Sequence, residues 1–168
     1  MISGEVKAFV ALGGNFIRAA PEMRAVEEAW RKLRLTVSIA TKLNRSHVVH
    51  GQVAYVLPCL GRIEIDEQAT GRQAVSMESS LAHYHGSRGH VKPASPHLRS
   101  EPAIVAGIAK ATLEPNPKVP WDQWVGDYGL VRQQIEKTWP ATFPDFSEKL
   151  FDPGGVARPL AARERKWN

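Results

Sequence analysis

"FVALGGNF", residues 9–16, decides the fold that the sequence predicts. Mostly apolar residues lead directly into Gly13, Gly14 and Asn15, a pattern typical of a buried strand that ends in a loop. Such a loop either forms a simple turn or lets backbone N–H groups approach a large anion, because glycine carries no Cβ. These residues alone leave both interpretations open.

The segments on either side of this stretch predict a parallel β-α-β pattern. Residues 6–12 predict a first strand, residues 21–34 an amphipathic helix, and residues 35–41 a second strand. Residues 53–58, VAYVLP, predict a third strand. Near-continuous apolar strands are typical of parallel sheets that are buried on both faces. We therefore expect an α/β fold, a three-layer Rossmann-like domain with a mainly parallel sheet.

The second half of the chain carries weaker patterns. A short strand is expected within residues 71–79, and residues 87–100 have the composition of a loop. Ser100 is a suitable N-cap for a helix over residues 101–113. The apolar spacing predicts one longer helix over residues 121–138.

Composition limits the class of protein. The 168 residues suffice for one globular domain, which we place at residues 1–150, followed by an irregular, extended arm at residues 151–168.

No apolar run approaches the roughly 18 residues of a membrane helix, and no secretory leader is recognisable, which predicts a cytoplasmic location without membrane contact. The lone Cys59 excludes an internal disulfide and predicts a buried residue at a strand end. A net charge of +5 favours anionic partners.

Polar side chains follow the second predicted strand, in the stretch TKLNRSH at residues 41–47. In an open parallel sheet, ligands bind beyond the carboxyl ends of the strands, which is where this loop and the glycine loop both lie. Their groups suit a phosphate, a ribose or a purine edge, although an ordinary surface loop has the same composition. The hydroxyl, ammonium, amide and guanidinium belong to Thr41, Lys42, Asn44 and Arg45.

Other motifs are weaker. The sequence contains no G-x-G-x-x-G fingerprint, Walker A loop, G-x-S-x-G elbow or H-E-x-x-H pair. The histidines have no supporting thiolate pair, so we interpret them as polar loop residues and expect no metal site. Arg88, between Ser87 and Gly89, could hold an anion or a partner's carboxylate, or serve only the structure of its loop.

An ordered series of words resembles a known family. They are "FVALGGNF", "ATKLNRSH", "YVLPCLGRIEID", "HGSRG", "SEPAIVAGIAKATL", "VPWDQWVGDY" and "ARERKW". In this order they resemble the alpha subunit of molybdopterin oxidoreductases, in the formate-dehydrogenase-like branch of the dimethyl sulfoxide reductase superfamily. The resemblance implies a Rossmann-like domain that holds the guanosine-diphosphate half of a molybdopterin guanine dinucleotide. Two such dinucleotides surround one molybdenum in members of that superfamily.

The resemblance also implies which residues meet the cofactor. The glycine loop would meet phosphate, and the stretch from Thr41 to Arg45 would meet ribose or guanine. The full set of expected cofactor-binding residues is Gly13, Gly14, Asn15, Phe16, Thr41, Lys42, Asn44, Arg45, Ser46, Pro58 and Glu64. No catalytic or metal-binding residue is expected in this chain.

The sequence departs from the family where the metal chemistry would lie. It contains neither the cysteine cluster for an iron–sulfur cluster nor a recognisable molybdenum ligand. We therefore expect a cofactor-binding domain without turnover of its own, whose partners are the nucleotide cofactor and the remaining domains of a parent oxidoreductase. Two alternatives are a non-catalytic nucleotide-binding module and a basic nucleic-acid-binding protein, although nucleic acid is not the partner that we expect.

Overall fold

A computed structural model of the protein describes residues 1–80, 83–152 and 155–157. The chain divides into two compact units: Met1–Gly61 with Ser95–Ile104, and Arg62–Ala94 with Val105–Asn168. The fold is mixed α/β, with a three-stranded parallel sheet and further helices and antiparallel strands, which confirms the predicted class. None of the described helices has both the length and the hydropathy needed to cross a bilayer.

The first unit contains the predicted β-α-β pattern. Its elements in chain order are β1 (Ala8–Leu12), α1 (Phe16–Ala19), α2 (Met23–Arg31), β2 (Leu35–Ala40), α3 (Arg45–Val48) and β3 (Val53–Pro58). The three strands are parallel and lie in the order β1-β2-β3. Leu12 pairs with Ile39, and Ile39 pairs with Leu57, so the carboxyl ends of all three strands lie at one edge.

One face of this sheet packs against a small aromatic and aliphatic core. Phe9 of β1 lies with its ring centroid 4.8 Å from that of Trp30, which is fully buried on α2. The other buried members of the cluster are Ile17, Leu33 and Val49. Burying side chains of this size contributes about 1.5–3 kcal/mol each. The core therefore anchors α1 and α2 to the face of β1 that carries Phe9.

The prediction of a sheet buried on both faces is wrong for the two outer strands. Val10 and Leu12 on β1 are 52% and 55% exposed, and Tyr55 on β3 is 58% exposed. Of the three strands, β2 alone is buried at its four middle residues, as Ile39 at 0% exposure illustrates. The apolar content of a strand predicts its tendency to form a sheet, but not which neighbours cover each face.

The second unit is built from antiparallel strands and helices. Its elements are β4 (Glu67–Gln68), β5 (Gly71–Arg72), β6 (Ala74–Glu78), β7 (His83–Arg88), α4 (Glu101–Thr112, from Val105 onward in this unit), α5 (Trp121–Gly126), α6 (Tyr128–Thr138), α7 (Phe146–Lys149) and β8 (Val156–Ala157). Strands β6, β7 and β8 form one antiparallel sheet, and β4 pairs with β5. The short strand expected within residues 71–79 is therefore confirmed.

Two helix predictions had different outcomes. The helix expected over residues 101–113 is confirmed, and Ser100 Oγ accepts a hydrogen bond of 3.4 Å from the Ala103 N–H. The single helix expected over residues 121–138 is wrong, because the chain breaks at Asp127 into α5 and α6. Asp127 is extended, with φ −150° and ψ 104°, and its carboxylate accepts a 2.8 Å bond from the Gly129 N–H as the N-cap of α6.

The C-terminal arm is described only in part. Val156 and Ala157 form β8 and pair with β7, whereas residues 153–154 and 158–168 lie outside the described residues. The prediction of an irregular arm at residues 151–168, and of a domain boundary at residue 150, therefore stays a prediction. Cys59 is 3% exposed and directly follows β3, as expected of a buried residue at a strand end.

Candidate functional site

The glycine loop begins directly after β1. Gly13 and Gly14 have φ angles of +63° and +69°, in the left-handed region that favours glycine. A Cβ built on either residue meets no atom within 4 Å. Glycine is therefore favoured at both positions by the positive φ angles and not by crowding from described atoms. No described atom occupies the space beside the two residues.

Three consecutive backbone N–H groups of this loop donate to none of the residues that the structure describes. The Gly13 N–H donates to the Ile39 carbonyl at 2.8 Å and so extends the pairing of β1 with β2. Within the described residues, the N–H groups of Gly14, Asn15 and Phe16 donate to no acceptor. Successive N–H groups in a turn form an anion-binding concavity, so this loop has the donors that an oxyanion requires.

Asn44 joins the glycine loop to the loop after β2. Its Nδ2 donates to the Gly14 carbonyl at 2.7 Å, and its Oδ1 accepts from the Ser46 N–H at 2.9 Å. The Asn44 N–H in turn donates to Nδ1 of His47 at 2.9 Å, which completes a reciprocal cap on α3. Both polar atoms of the Asn44 side chain therefore have partners inside the protein.

Ser46 makes the second connection between the two loops. Its side chain is buried, and its hydroxyl donates to Oδ1 of Asn15 at 3.3 Å. The same Oγ accepts a long, 3.5 Å hydrogen bond from the Ile17 N–H at the start of α1. Ser46 therefore orients the Asn15 side chain, and the ends of β1 and β2 form one connected structure.

Arg45 is ion-paired rather than free. Its Nη2 lies 2.6 Å from Oε1 of Glu27, and its Nε donates to Oε2 of the same carboxylate at 3.3 Å. This contact lowers the pKa of Glu27, chiefly through the hydrogen bond from Arg45, and it raises the pKa of Arg45. Arg31 also reaches Glu27, at 3.3 Å. The carboxylate thus ties α2 to the start of α3.

The remaining expected residues lie in different surroundings. Thr41 and Lys42 are exposed after β2, and neither side chain pairs with any residue that the structure describes. Phe16 is 40% exposed, with its ring centroid 4.9 Å from that of Phe9. Pro58 is the last residue of β3, and Glu64 belongs to the second unit, where its Oε1 accepts a 2.6 Å bond from the Ala94 N–H.

The structure thus brings together Gly14, Asn15, Asn44 and Ser46 among the expected residues. Sequence reasoning missed the parts that Glu27 and His47 play in holding the loops. The spacing of Asn44 and His47 is that of a capping box and could have indicated the cap. No three His, Cys, Asp or Glu side chains in residues 1–80, 83–152 and 155–157 are grouped as metal ligands.

Comparisons with known proteins give two sets of relatives. No protein-family profile matches the chain. Over 165 residues, 98% of this chain, it is 45% identical to Protein YdeP of Escherichia coli strain K12, of which the match covers 22%. Over 166 residues, 99% of this chain, it is 39% identical to an uncharacterized oxidoreductase of Mycobacterium tuberculosis strain H37Rv, of which the match covers 21%. The chain therefore spans about a fifth of the length of the curated relatives that it matches.

Proposed function

We propose that this chain is a cofactor-binding part of a molybdenum-dependent, formate-dehydrogenase-like oxidoreductase. In this proposal it holds the guanosine-diphosphate half of a molybdopterin guanine dinucleotide at the carboxyl ends of β1 and β2. The observation that carries the proposal is the glycine loop, in which the N–H groups of Gly14, Asn15 and Phe16 donate to no acceptor in the described residues. The name of the mycobacterial relatives supports an oxidoreductase as the parent.

The residues at this edge fit a diphosphate. Phosphate oxygens accept hydrogen bonds from backbone N–H groups, and glycine allows them to approach without steric hindrance. Lys42 adds a nearby loop ammonium whose charge no described carboxylate neutralises. A side chain at Gly13 or Gly14 would adopt a strained positive φ and project into the open space beside the loop.

In this proposal, some residues of the loop after β2 contact the cofactor, and others hold the loop in position. The polar groups of Thr41 and Lys42 have no partner within the described part of the chain, and in this proposal they contact the ribose or the phosphates. Asn44, Arg45 and Ser46 have internal partners, so their first role is to hold the loop in position. Contacts of these three side chains with guanine stay a prediction.

The chemistry of the whole protein would come from the bound group. The molybdenum cofactor supplies two-electron redox chemistry for a small acid such as formate. This chain binds and orients the nucleotide end, and we expect no formate oxidation by the purified 168-residue chain. A non-catalytic nucleotide-binding module would use the same loops, so activity of this chain alone would argue against both interpretations.

The binding step is tested by titrating GDP into the isotope-labelled chain. We expect saturable shifts of the amide signals of Gly14, Asn15 and Phe16 at millimolar GDP, because these N–H groups would receive the phosphates. Gly14→Ala should abolish the shifts. Gly4→Ala is the matched control, since Gly4 also has a positive φ of +77° and open space around it. Unchanged amides at residues 14–16, or equal binding by both variants, would refute the proposal.

A further inference from the structure

Two arginines of the second unit converge on one backbone position. Arg88 ends β7 and is the register partner of Ala74 on β6. Arg132, on α6, donates from Nη1 to the Ala74 carbonyl at 3.0 Å. The two residues therefore approach the same end of the β6–β7 hairpin, one along the strand and one from the helix.

Among the residues that the structure describes, neither the Arg88 nor the Arg132 guanidinium has a carboxylate as an ion-pair partner. The Nε atom of Arg132 is buried and has no acceptor among the described residues. Burial lowers the pKa of Arg132, and the positive charge of Arg88 lowers it further, whereas Asp127 and Glu136 act in the opposite direction. A buried cationic donor without an acceptor is costly, so an oxyanion would stabilise this arrangement.

Phe151 holds the guanidinium of Arg88 in place. The guanidinium carbon lies 4.7 Å from the centroid of the Phe151 ring, which is a cation–π distance. The ring itself lies against Gly86, where a Cβ would approach it to 2.1 Å. A guanidinium stacked on a ring keeps the N–H groups of its edge available for the oxygens of a planar or tetrahedral anion.

We propose that Arg88 and Arg132 form a binding site for a small oxyanion, either a phosphate group or a carboxylate. Both ligands present oxygens that a pair of guanidinium groups recognises through charge-assisted hydrogen bonds. The site uses none of the residues of the glycine loop. A failure of this proposal would therefore leave the function proposed above unaffected, and the reverse also holds. It gives a specific role to Arg88 in the Ser87-Arg88-Gly89 stretch, for which the sequence alone is compatible with an anion, a partner's carboxylate or a structural role.

The experiment follows the arginine Nε–H signals of the labelled full chain at constant ionic strength. Inorganic phosphate and acetate are titrated separately, and sodium chloride serves as the reference. We expect saturable shifts at Arg88 and Arg132 with at least one oxyanion and none with chloride. Saturation by phosphate assigns a phosphate group, and saturation by acetate assigns a carboxylate. Failure of both to saturate would overturn the proposal.

Variants separate this site from general attraction to a basic protein. Arg88→Gln removes an exposed charge and should weaken the saturable oxyanion binding by about tenfold, as expected for one charged hydrogen bond. Arg72→Gln is the control, because Arg72 is an exposed arginine of the same unit. Its Nε lies 3.8 Å from Oε2 of Glu67. Equal weakening by the two variants would also overturn the proposal. Arg88→Lys should bind with intermediate affinity, since lysine keeps the charge but loses the planar fork.

Discussion

The side-chain amide of Asn44 donates to the carbonyl oxygen of Gly14 at 2.7 Å, across 30 residues of sequence. The glycine loop is therefore not shaped by its own residues alone. One face of it is held by the loop that follows the neighbouring strand, through a side chain that also caps α3. A change in the second loop should consequently alter binding at the first.

Substitution of Asn44 should separate stability from binding. Asn44→Ala removes both the cap and the bond to Gly14, and it should lower the free energy of unfolding by about 1–2 kcal/mol and weaken GDP binding. Asn44→Ser retains a capping oxygen but lacks the amide nitrogen that donates to the Gly14 carbonyl, and its side chain is shorter. We expect the serine variant to recover much of the stability, measured by urea unfolding, but not the affinity for GDP.

Serine is the sharper of the two variants because it keeps a capping oxygen for α3, so weaker GDP binding by this variant is not explained by loss of the cap. If Asn44→Ser bound GDP as tightly as the parent chain, the bond to the Gly14 carbonyl would have no part in forming the site. The amide signals of Gly14 and Asn15 in the unliganded variant provide a direct check, since loss of the bond should shift both.

The Glu27–Arg45 ion pair predicts a specific acid sensitivity. The folded-state pKa of Glu27 is lowered from its ordinary value of 4.5. A carboxyl whose pKa is depressed by folding contributes stability above its unfolded pKa and loses it as the pH falls through the folded pKa. The stability of the parent chain should therefore fall more steeply below about pH 4.5 than that of Glu27→Gln. Urea unfolding at several pH values measures the difference.

The neighbouring residue supplies the control for that experiment. Glu28 is exposed, lies on the same helix and forms no ion pair with a described residue. Glu28→Gln removes a carboxylate but leaves the contact between Glu27 and Arg45 in place, so it is the matched control. The same dependence in Glu27→Gln and Glu28→Gln would show that the contact with Arg45 contributes nothing measurable, as is true of many exposed ion pairs.

Local patterns were sufficient to predict most of the first unit. The third strand was expected at residues 53–58 and is observed there, and β2 ends one residue earlier than expected. A loop after the first strand was also expected, because two glycines follow an apolar run, and the structure adds that both glycines have positive φ angles. These features depend on residues that are adjacent in sequence.

Features that depend on distant residues were not predictable. The break at Asp127 coincides with the carbonyl of Gly126 accepting hydrogen bonds from Thr70, 56 residues earlier. The pairing of Arg45 with Glu27 spans 18 residues and crosses from one helix to another. The exposure of Tyr55 depends on what packs over β3, which no strand pattern encodes. The sequence therefore indicated that loops follow β1 and β2, but not the bonds that join those loops, and binding of a ligand there stays a prediction.

Two glycines outside the loop should respond in opposite ways to the same substitution. A Cβ on Gly51 would lie 2.6 Å from the Leu33 carbonyl oxygen, which is backbone and cannot move aside easily. Gly51→Ala should lower the free energy of unfolding by about 1–3 kcal/mol. Gly107 lies within α4, and no described atom lies within 4 Å of its Cβ position. Gly107→Ala should therefore raise the free energy of unfolding by up to about 1 kcal/mol. Chemical denaturation of both variants tests the pair, and a stabilising Gly51→Ala would contradict the packing.

The hydroxyl of Tyr128 should stabilise the second unit through a buried polar network. It donates to Oδ2 of Asp66 at 2.5 Å, while the Tyr128 N–H donates to Oε1 of Gln73 at 2.9 Å. Gln73 is 8% exposed and also donates to Oγ1 of Thr70 at 3.0 Å. Tyr128→Phe leaves the ring in place but leaves Asp66 short of a donor, so the free energy of unfolding should fall by about 1–3 kcal/mol. Gln73→Ala should cost a similar amount, because it removes the acceptor of the 2.9 Å bond from the Tyr128 N–H. Since the three residues share one network, the double variant should lose less than the sum of the single variants, and strict additivity in urea unfolding would show that the two bonds act independently.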